Sequence, residues 1–470
     1  MLQYLRMDNI RAVIPRDLIN LFESVELYIV GGFVRNFFMG IPAHSDIDLA
    51  GPESADFLLK FCNITPANPK LGTCLITIPS GKYEYTPFRT ESYTGGNHTP
   101  DEVFFGAGIY EDSCRRDFSA NAIYYDIRGD KFIDFHNGIA DIKNKILRAA
   151  PDAATVFYAD GLRLMRLCRL AAETGFEIES ETLKGAIANA ANLADISPER
   201  IWQELLKILN ADAPYGIEGA HYRGLKLLNE VGLWKYIIPE IEEGIGCAQN
   251  SKYHAYDVFE HTMRTVLYSP PRVRLAALLH DAAKPYCQRT FGDTYQHAKI
   301  GTQTARKILT RLKCPNVVIE HTARLTEHHM FDNLCETRMS KLKIFVAENR
   351  DIIYDLVALK SADFKAKGIP LPRKGGCEAG RVVCGEFRER LTGTYEQMLR
   401  DGIPMSVKEL NLGGETLVEA NIPPKERGKI LRELWKQVVI GNLENSEEKL
   451  LHRALFLYNQ TSRSKKSNNQ

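Results

Sequence analysis

Long apolar runs are missing from this sequence of 470 residues, in which no segment approaches the roughly 18 uninterrupted apolar residues of a transmembrane helix. The segment from Met1 to Asp8 contains no cationic stretch followed by an apolar one, so it predicts no secretory signal. The ten cysteines include no CxxC pair, which argues against a zinc ribbon or a disulfide framework. We therefore expect a cytoplasmic protein with reduced, mostly buried thiols and no membrane partner.

An excess of charge of one sign is also missing. Lys and Arg number 60 against 59 Asp and Glu, so the formal net charge of +1 does not indicate a nucleic-acid partner. The composition, 44% hydrophobic and 25% charged, excludes collagen-like, mucin-like and largely disordered chains. The length predicts about two to four domains, and a local basic surface remains compatible with the neutral total.

Two kinds of secondary structure follow one another along the chain. Short β-rich runs at 27–30, 73–78 and 122–127 are separated by clusters of Gly, Pro and Asn. From about residue 152, apolar residues recur at helical spacing, and glycines and prolines end the successive helices. We predict an α+β protein in which an α/β head with an antiparallel or mixed sheet precedes an all-helical remainder.

A glycine turn is the first candidate for chemistry. The β-run at 28–30 breaks at Gly31 and Gly32, and apolar residues at helical spacing follow. Two glycines between a strand and a helix allow backbone N–H groups to approach a phosphate, and Arg35 is close enough in sequence to add positive charge. The alternative is an ordinary tight turn, because such short motifs often occur by chance.

A pair of carboxylates follows this turn. In the segment 45–50, acidic and apolar residues alternate, so on a strand Asp46 and Asp48 would project from the same face. Two neighbouring carboxylates are costly unless a cation neutralises them, and Mg²⁺ bound with substrate phosphates is the usual partner. The pair predicts metal-assisted phosphoryl or nucleotidyl transfer; the alternative is an exposed edge strand with solvated acids.

A second polar segment precedes the β-run at 122–127. Arg115, Arg116, Asp117 and Asn121 could hold phosphates and a ribose hydroxyl, or the charged residues could form a surface ion pair of little energetic consequence.

The first long helical segment opens with Asp160 and Arg163, which a continuous helix would place on one face. The simple interpretation is an intrahelical salt bridge. The alternative is recognition of a base: a carboxylate accepts a hydrogen bond from an exocyclic amino group while a guanidinium donates to the adjacent ring nitrogen. Cytosine and adenine both offer that edge, so one such pair could select CTP and ATP.

These motifs, in this order, closely resemble those of the bacterial class II tRNA nucleotidyltransferase (CCA-adding) and poly(A) polymerase family. The resemblance runs from residue 20 to 235 and resumes at 404–414 and 422–424. It rests on Val-Gly-Gly-Phe-Val-Arg at 30–35, Asp46-Ile-Asp48, Tyr-Thr-Pro-Phe-Arg at 85–89, Arg-Arg-Asp-Phe-Ser-Ala-Asn-Ala at 115–122, Asp-Phe-His-Asn-Gly-Ile-Ala-Asp at 134–141, Asp-Gly-Leu-Arg-Leu-Met-Arg-Leu-Cys-Arg at 160–169 and Ser-Pro-Glu-Arg at 197–200.

The resemblance implies template-independent addition of C and A to tRNA 3′ ends from CTP and ATP. Asp46 and Asp48 are then the catalytic ligands of Mg²⁺. The implied nucleotide-binding residues are Gly31, Gly32, Arg35, Arg116, Asp117, Asn121, Asp160, Arg163, Arg166 and Arg169. The chain departs from the family at Ala159, where Glu is usual, and in the loop 94–100, which lacks the usual arginine. Addition of CCA, of CC alone, of A alone, and poly(A) synthesis therefore remain open.

Seven of the twelve histidines lie between residues 254 and 363. His261 lies in a predicted helix, and His280-Asp281 closes a second apolar one. Imidazole and carboxylate ligands on different helices suit a divalent transition metal. With Asp363, the order His, His-Asp, Asp resembles the HD phosphohydrolase superfamily, which implies a second metal site at His261, His280, Asp281 and Asp363. An active phosphohydrolase and a structural or vestigial domain are the alternatives.

The sequence as a whole predicts five segments: a nucleotidyltransferase head (1–150), a helical neck and body (151–245), an HD domain (246–370), a C-terminal helical body and tail (371–460) and a disordered end (461–470). The body and tail would bind tRNA phosphates through cations such as Arg200 and those of 424–432, although solvated helix faces explain each cation equally well. A protein that uses the HD domain alone for catalysis, and a non-catalytic RNA-binding protein, are the rival functions. The sequence predicts no oligomeric state.

Overall fold

The computed structural model describes residues 10–41, 46–93, 102–333, 335–369 and 385–467, with side chains described through residue 460. The chain forms two compact units. The N-terminal unit comprises Met1–Glu242 with Ile308–Cys314, and the C-terminal unit comprises Glu243–Lys307 with Pro315–Gln470. Among the helices in the described residues, none has the length and apolar character needed to cross a membrane. The eight cysteines in these residues are free thiols, and five of them are buried.

The N-terminal unit begins with a mixed sheet. Its strand order is β3-β4-β5-β2-β1-β8-β9, in which β2 and β5 are parallel and the other neighbours are antiparallel. This confirms the predicted α+β class, and all three predicted β-runs contain strands. The strands are β1 (Tyr28–Val30), β2 (Asp48–Gly51), β3 (Asn63–Asn68), β4 (Thr73–Ile78), β5 (Gly81–Pro87), β6 (Arg89–Ser92), β7 (Glu102–Phe105), β8 (Tyr124–Asp126), β9 (Lys131–Ile133), β10 (Ile146–Leu147) and β11 (Glu177–Ile178).

The centre of the sheet is buried because β1 and its two neighbours carry apolar side chains on both faces. Ile29 pairs with Leu49 on one side and with Tyr125 on the other, and all three are almost fully buried. Val30, Ala50, Phe88 and Tyr124 form a separate apolar cluster. A rigid core therefore supports the point where β1 ends and β2 begins.

The rest of the N-terminal unit is mainly helical. Its helices are α1 (Arg16–Ser24), α2 (Gly32–Phe38), α3 (Ala55–Leu58), α4 (Ile109–Cys114), α5 (Gly138–Asn144), α6 (Ala153–Ala159), α7 (Leu162–Thr174), α8 (Ser180–Ala188), α9 (Pro198–Leu209), α10 (Ala220–Val231), α11 (Trp234–Ile237) and α12 (Pro239–Glu242), with 3₁₀ turns at Ile10–Val13, Pro69–Leu71, Ser119–Asn121 and Ala190–Asp195. One feature corrects the all-helical prediction beyond residue 150. After the left-handed Gly175 ends α7, β11 pairs in parallel with β10.

Helix α7 packs against α9 and α10. The small residues Ala172, Ala211 and Ala220 form one apolar cluster at this contact. A Cβ added to Gly224 of α10 would lie 2.8 Å from Ile208 of α9, so the absence of a side chain allows this close approach. The apolar face of α7 is thereby held in place.

The C-terminal unit is helical in its described residues. The helices that begin in this unit are α13 (Val258–Tyr268), α14 (Arg274–Leu279), α15 (Lys284–Phe291), α16 (His297–Arg311), α17 (Asn316–His328), α18 (Met339–Glu348), α19 (Ile353–Ala366), α20 (Thr394–Arg400), α21 (Gly414–Glu419), α22 (Pro424–Val439) and α23 (Glu447–Ser467), with a π-helical turn at Glu389–Gly393 and 3₁₀ turns at Pro271–Val273 and Val407–Glu409. Helix α13 packs against α14 and α19, and the buried Met263, Leu279 and Leu359 belong to these three helices.

Two sequence expectations concern the last third of the chain. The segment 365–380 is rich in glycine, proline and lysine, which is typical of a linker, and most of it lies outside the described residues. Helix α23 continues through Ser467, so the prediction of disorder is wrong for 461–467. Each hydrogen bond added to a helix that has already formed fixes only one further residue, so extending a helix costs less than starting one.

Gly161 separates α6 from α7 and allows the chain to pass close to a neighbouring turn. A Cβ at this position would lie 2.3 Å from the carbonyl oxygen of Asn192, which is backbone and cannot move aside cheaply. The turn therefore requires glycine.

We predict that Gly161→Ala destabilises the N-terminal unit by about 2–3 kcal/mol, because the methyl group overpacks this turn. Urea unfolding followed by circular dichroism measures the change. The control is Gly428→Ala in α22, where an added Cβ meets nothing within 4 Å and should stabilise the helix by roughly 0.5–1 kcal/mol. Equal effects of the two substitutions would contradict the prediction.

Candidate active site

A polar cleft of about 560 Å³ opens in the N-terminal unit. Its lining contains seven arginines and four carboxylates, which gives a site with a net positive wall suited to a polyanion. The lining residues are Gly31, Gly32, Arg35, Asp48, Arg115, Arg116, Asp117, Asn121, Asp160, Leu162, Arg163, Arg166, Arg169, Leu170, Glu173, Arg200, Pro214 and Tyr215. The ten residues predicted to bind nucleotide all lie in this lining, and so does Asp48.

The glycine turn lies directly beside Asp48. Val30, the last residue of β1, pairs with Asp48, the first residue of β2. Gly31 then takes a φ of 82°, in the left-handed region that favours glycine. A Cβ on Gly31 would lie 3.1 Å from Asp48 Oδ2, so any side chain there would be both strained and close to the carboxylate.

Asp46 corrects one part of the sequence expectation. Strand β1 ends at Val30, which pairs with Asp48, so β1 has no residue that could pair with β2 before Asp48. Asp46 therefore lies outside the strand. The carboxylate that the sheet places beside Asp48 is Glu84, its partner in β5. Glu84 was not predicted as part of the site, although the alternation of residues 81–87 is typical of a strand.

Negative charge accumulates at this point. The walls of the cleft desolvate Asp48, and Glu84 and Asp46 add repulsion, which together raise the pKa of Asp48 to about 6 although Arg116 opposes the shift. A carboxyl group whose pKa is raised in this way is stabilised by a bound cation, which favours the ionised form of the group. Asp48 with Asp46 therefore fits a hard, oxygen-liganded divalent metal.

Arg35 is buried and held in a fixed direction. Its Nη1 donates to Asn121 Oδ1 at 2.6 Å and its Nη2 donates to the Tyr215 hydroxyl at 2.6 Å. Tyr215, from the segment between α9 and α10, also donates to Asn36 Oδ1 at 2.9 Å. Nothing in the sequence around Tyr215 predicted its place in the cleft, because its partners lie about 180 residues away.

The Arg-Arg-Asp segment is not a surface ion pair. Arg115 and Arg116 converge on the fully buried Asp112, whose carboxylate also accepts a hydrogen bond from the Tyr124 hydroxyl at 2.5 Å. These contacts hold both arginines at the cleft. Removing one partner from such a buried set would leave an uncompensated charge.

Asp117 joins the strand side of the cleft to helix α7. Its Oδ2 accepts from Arg166 Nε at 2.9 Å, and its Oδ1 accepts from Asn121 Nδ2 at 3.0 Å. Burial favours the neutral acid, but the Arg166 guanidinium and the Asn121 amide outweigh it and hold the pKa of Asp117 below its usual range. Asp117 is therefore ionised at neutral pH.

Arg169 is engaged by two carboxylates on α7 and α9. Its Nε donates to Glu204 at 2.6 Å, and its Nη1 donates to Glu173 at 2.8 Å. It lines the cleft but is already fully paired, so we assign it a supporting position beneath Arg166.

Asp160 and Arg163 do not share a helix. Asp160 precedes Gly161, and its Oδ1 accepts from the backbone N–H of Leu162 at 2.9 Å, while Arg200 lies 3.5 Å from its Oδ2. Arg163 donates instead to the carbonyl oxygens of Arg115 (2.6 Å) and Val156 (3.3 Å). Both the shared helical face and the intrahelical salt bridge are therefore wrong, because the backbone of Asp160 is extended and α7 begins only after it. Both side chains nevertheless reach the same cleft.

A second cluster lies inside the C-terminal unit. His261 Nε2 is 3.2 Å from Asp363 Oδ1 and 3.5 Å from Asp281 Oδ2, and His280 Nε2 is 3.1 Å from Asp281 Oδ2. Helices α13 and α19 and the end of α14 thus bring together all four residues predicted as metal ligands. His297 and His329 also belong to this cluster, since the Nε2 atoms of both lie within 3.8 Å of Asp281 Oδ1. The sequence did not predict either of them as a ligand.

This cluster fits a cation. His261 Nδ1 and Nε2, His280 Nε2 and both carboxylate oxygens of Asp281 are buried and make no hydrogen bond of good geometry within the described residues. Lys284 Nζ lies 2.7 Å from Asp281 Oδ2 and offsets part of the charge. The cluster borders a cavity of about 840 Å³. Imidazole nitrogens that surround a buried carboxylate without forming well-aligned hydrogen bonds are typical ligands of a divalent transition metal.

Comparisons with known proteins decide the family. Residues 27–148 match the poly A polymerase head domain, 175–245 match the probable RNA and SrmB-binding site of polymerase A, and 253–353 match the HD domain. The multifunctional CCA protein of Vibrio vulnificus is 30% identical over 319 residues, which cover 65% of this chain and 75% of that protein. This chain belongs to the tRNA nucleotidyltransferase and poly(A) polymerase family.

Two further comparisons agree with this membership. The CC-adding tRNA nucleotidyltransferase of Thermus thermophilus is 28% identical, over 93% of this chain and 94% of that protein. The crystal structure of the Bacillus stearothermophilus CCA-adding enzyme in complex with CTP has a TM-score of 0.64 and 23% identity, with both chains covered completely, and so shares the fold. As a nucleotidyltransferase with an HD domain, the chain combines two kinds of metal-dependent domain.

The raised pKa of Asp48 predicts how this nucleotidyltransferase binds a cation as pH changes. Below about pH 6 the carboxyl is protonated, so the affinity of Mn²⁺ for this site should fall by up to roughly tenfold per pH unit. Glu84→Gln removes a repelling charge, lowers the pKa of Asp48 and moves the fall to lower pH.

The measurement is a Mn²⁺ titration at pH 5.0 and 7.5, followed by electron paramagnetic resonance of the free ion. The Asp48→Asn variant lacks this carboxylate, so the Mn²⁺ that it still binds is bound at other sites of the chain. The parent chain and the Asp48→Asn variant are compared in the amount of Mn²⁺ that they bind. If the difference between them were the same at pH 5.0 and pH 7.5, the prediction would be contradicted.

Proposed function

We propose that this protein adds C and A residues to the 3′ end of tRNA from CTP and ATP, with release of pyrophosphate and no nucleic-acid template. The observation that carries the proposal is the cleft itself. One cavity contains a glycine turn beside Asp48, a set of arginines suited to a triphosphate, and an Asp–Arg pair suited to a base. The names of the relatives, which are tRNA nucleotidyltransferases, support it.

The triphosphate would lie along the glycine turn. Gly31 and Gly32 expose their backbone, and Arg35 and Arg116 are held at the cleft by buried hydrogen bonds. Arginines oriented in this way lose little conformational entropy when they bind phosphate oxygens. Asp117 and Asn121, already bonded to each other, would accept and donate hydrogen bonds at the ribose.

The base would be read by Asp160 and Arg163. A carboxylate accepts from the amino group of cytosine or adenine, and a guanidinium donates to the adjacent ring nitrogen; uracil and guanine present a carbonyl instead. In the structure Arg163 is bonded to the carbonyl of Arg115. It must therefore exchange this bond for the base, which couples nucleotide binding to the position of the Arg-Arg-Asp segment.

Asp46 and Asp48 would orient the reacting 3′ hydroxyl and the α-phosphate through a metal. When bound there, Mg²⁺ supplies charge neutralisation for the attacking and leaving oxygens of an in-line displacement. The chain's own contribution is to hold these carboxylates at the open end of β2 while the arginines fix the triphosphate. The new bond joins the 3′ oxygen to the α-phosphorus, and pyrophosphate leaves.

The product we propose is the complete CCA end. A CC-adding relative at 28% identity and a multifunctional CCA relative at 30% show that overall identity does not decide the product. Two local departures bear on it. Ala159 is a buried residue at the end of α6, next to the base-reading Asp160, and the loop 94–100 lies outside the described residues. CC addition, A addition and poly(A) synthesis are the alternative products.

Product length distinguishes these activities. Given a tRNA that ends before CCA, the protein should add two residues with CTP alone and three with CTP and ATP together, resolved on a sequencing gel. Asp48→Asn should lower incorporation by at least about a thousandfold because the metal ligand is lost, whereas His280→Ala in the other unit should retain it. Long tails with ATP alone would identify a poly(A) polymerase, and retained activity in Asp48→Asn would overturn the proposal.

The base-reading pair has its own test. Arg163→Ala should reduce the preference for CTP and ATP over UTP and GTP by about ten- to a hundredfold, because a charged hydrogen bond that discriminates the base is lost. Single-nucleotide incorporation with each of the four triphosphates measures this preference. Arg169→Ala serves as the control for loss of an arginine from the same helix. If the Arg163→Ala variant kept the same preference among the four triphosphates, Arg163 would have only a structural role.

The tRNA would be bound largely through its phosphates. The exposed Lys425, Lys429 and Arg432 of α22 are candidates on the C-terminal unit, and such contacts weaken as salt rises. A tRNA substrate of this kind would place the activity in the cytoplasm.

A second activity is favoured by the histidine cluster of the C-terminal unit. We propose that His261, His280, Asp281 and Asp363 bind a divalent transition metal, because they converge in a buried cluster. In that cluster Nε2 of both histidines and both oxygens of Asp281 make no hydrogen bond of good geometry. The adjoining cavity, which Lys284 and Lys367 line, suits a phosphate ester. Hydrolysis of such an ester would survive in Asp48→Asn and disappear in His280→Ala.

A further inference from the structure

A hydroxyl from the segment between α9 and α10 reaches the arginine that follows the glycine turn. Tyr215 accepts a hydrogen bond from Arg35 Nη2 at 2.6 Å and donates one to Asn36 Oδ1 at 2.9 Å. We propose that Tyr215 is a positioning residue, which orients Arg35 for the triphosphate of the incoming nucleotide. This inference rests on the function proposed above and adds to it a residue from outside the sequence motifs.

Arg35 lies against the glycine turn. A Cβ added to Gly32 would be 3.5 Å from Arg35 Nη2, and the arginine is only 7% exposed. A phosphate bound along the turn would therefore lie beside this guanidinium. The direction of the guanidinium then decides whether its N–H groups meet the phosphate oxygens.

Arg35 keeps its charge for such a ligand. Its hydrogen-bond partners in the described part of the chain are all neutral, namely Asn36, Asn121 and Tyr215. Arg166, in contrast, is paired with a buried aspartate. A carboxylate offsets the charge of a guanidinium, whereas amide and hydroxyl oxygens orient the group and leave its charge in place.

The hydrogen bonds of Arg35 hold both ends of its guanidinium. Of the five N–H groups, those of Nε and Nη2 donate to Asn36 Oδ1 at 3.3 and 3.1 Å, and Nη1 donates to Asn121 Oδ1 at 2.6 Å. The second N–H of Nη2 donates to Tyr215. Among the described residues, these contacts leave one N–H of Nη1 for a ligand. Without the tyrosine hydroxyl, the two asparagines alone would orient the group.

The segment that carries Tyr215 is fixed at both ends. Ala211 and Ala220 are buried and pack with Ala172 of α7 in one apolar cluster. Tyr215 therefore reaches Arg35 of α2 from a loop anchored on α7. The hydroxyl joins the helix that carries the base-reading arginine to the turn that would bind the triphosphate.

This role predicts an equal effect on the two nucleotides. CTP and ATP have the same triphosphate and differ in the base, which Asp160 and Arg163 would read. Tyr215→Phe should weaken the binding of both by about tenfold, because a hydrogen bond to a charged group is lost. Isothermal titration calorimetry in the presence of Mg²⁺ and without tRNA measures both dissociation constants.

Tripolyphosphate provides a probe that carries no base. Its affinity, measured by competition with CTP, should fall in Tyr215→Phe by the same factor as that of CTP. A general distortion of the cleft would instead change the ratio between CTP, ATP and tripolyphosphate. Such a change in ratio would overturn the inference.

A double-mutant cycle tests whether Tyr215 acts through Arg35. Arg35→Met removes the guanidinium and retains an unbranched side chain. In this background, Tyr215→Phe should change the affinity of CTP by less than about twofold, since its partner is already absent. A tenfold loss in both backgrounds would show that the tyrosine acts independently and would overturn the inference.

Tyr236→Phe is the matched control. Tyr236 of α11 is half-buried, as Tyr215 is, and does not line the cleft. This variant should bind CTP as the parent chain does, and circular dichroism of every variant shows whether the fold is kept.

Two further outcomes separate this inference from the proposed function. An unchanged affinity of CTP in Tyr215→Phe would overturn the positioning role and leave the nucleotidyltransferase function standing. No binding of CTP by the parent chain would overturn both.

Discussion

The pairing of Val30 with Asp48 is the constraint on which the N-terminal unit depends. It ends β1 at the glycine turn and begins β2 at the carboxylate, so backbone and side chain meet at one point. The apolar partners of Ile29 in β2 and β8 fix this register, because a slip of one residue would move Ile29 to the opposite face, away from Leu49 and Tyr125. The parallel pairing with β5 then adds Glu84 beside Asp48. Concentrated negative charge at the end of a rigid sheet is the physical basis for binding a cation there.

The positive wall of the cleft depends on carboxylates behind it. Asp112 holds Arg115 and Arg116, Asp117 holds Arg166, and Glu204 with Glu173 holds Arg169. Pairing of this kind keeps arginines ionised and oriented in partly buried positions. It also explains the uninformative total of 60 basic and 59 acidic residues. The cations that suit a polyanion are locally compensated, so they do not appear in the net charge.

The C-terminal unit also contains a buried carboxylate, but different side chains surround it. Its helices bury a carboxylate among imidazoles, and three of the histidines are oriented by backbone carbonyl groups of their own helical turns. Asp281 is thus surrounded by imidazoles and one lysine rather than by a ring of arginines. Such a set suits a transition metal, whereas the oxygen ligands of the N-terminal unit suit a hard cation.

The sequence alone determined what depends on neighbours along the chain. The change from β-rich to helical periodicity, the glycine turn, and the order of motifs at 30–35, 115–122 and 160–169 were sufficient for the fold class and the family. Ten nucleotide-binding candidates and six metal-ligand candidates were also named in this way, because the motifs that contain them are short and local. The tertiary structure alone decided the contacts made over long separations. It placed Asp46 just outside the strand that Asp48 begins, and it added Glu84 beside Asp48. It also separated Asp160 from the helix of Arg163, and it brought Tyr215 to Arg35 and His297 and His329 to Asp281. Local periodicity records which face of an element is buried, but the partner on that face comes from a distant segment, and its identity is decided when the core packs.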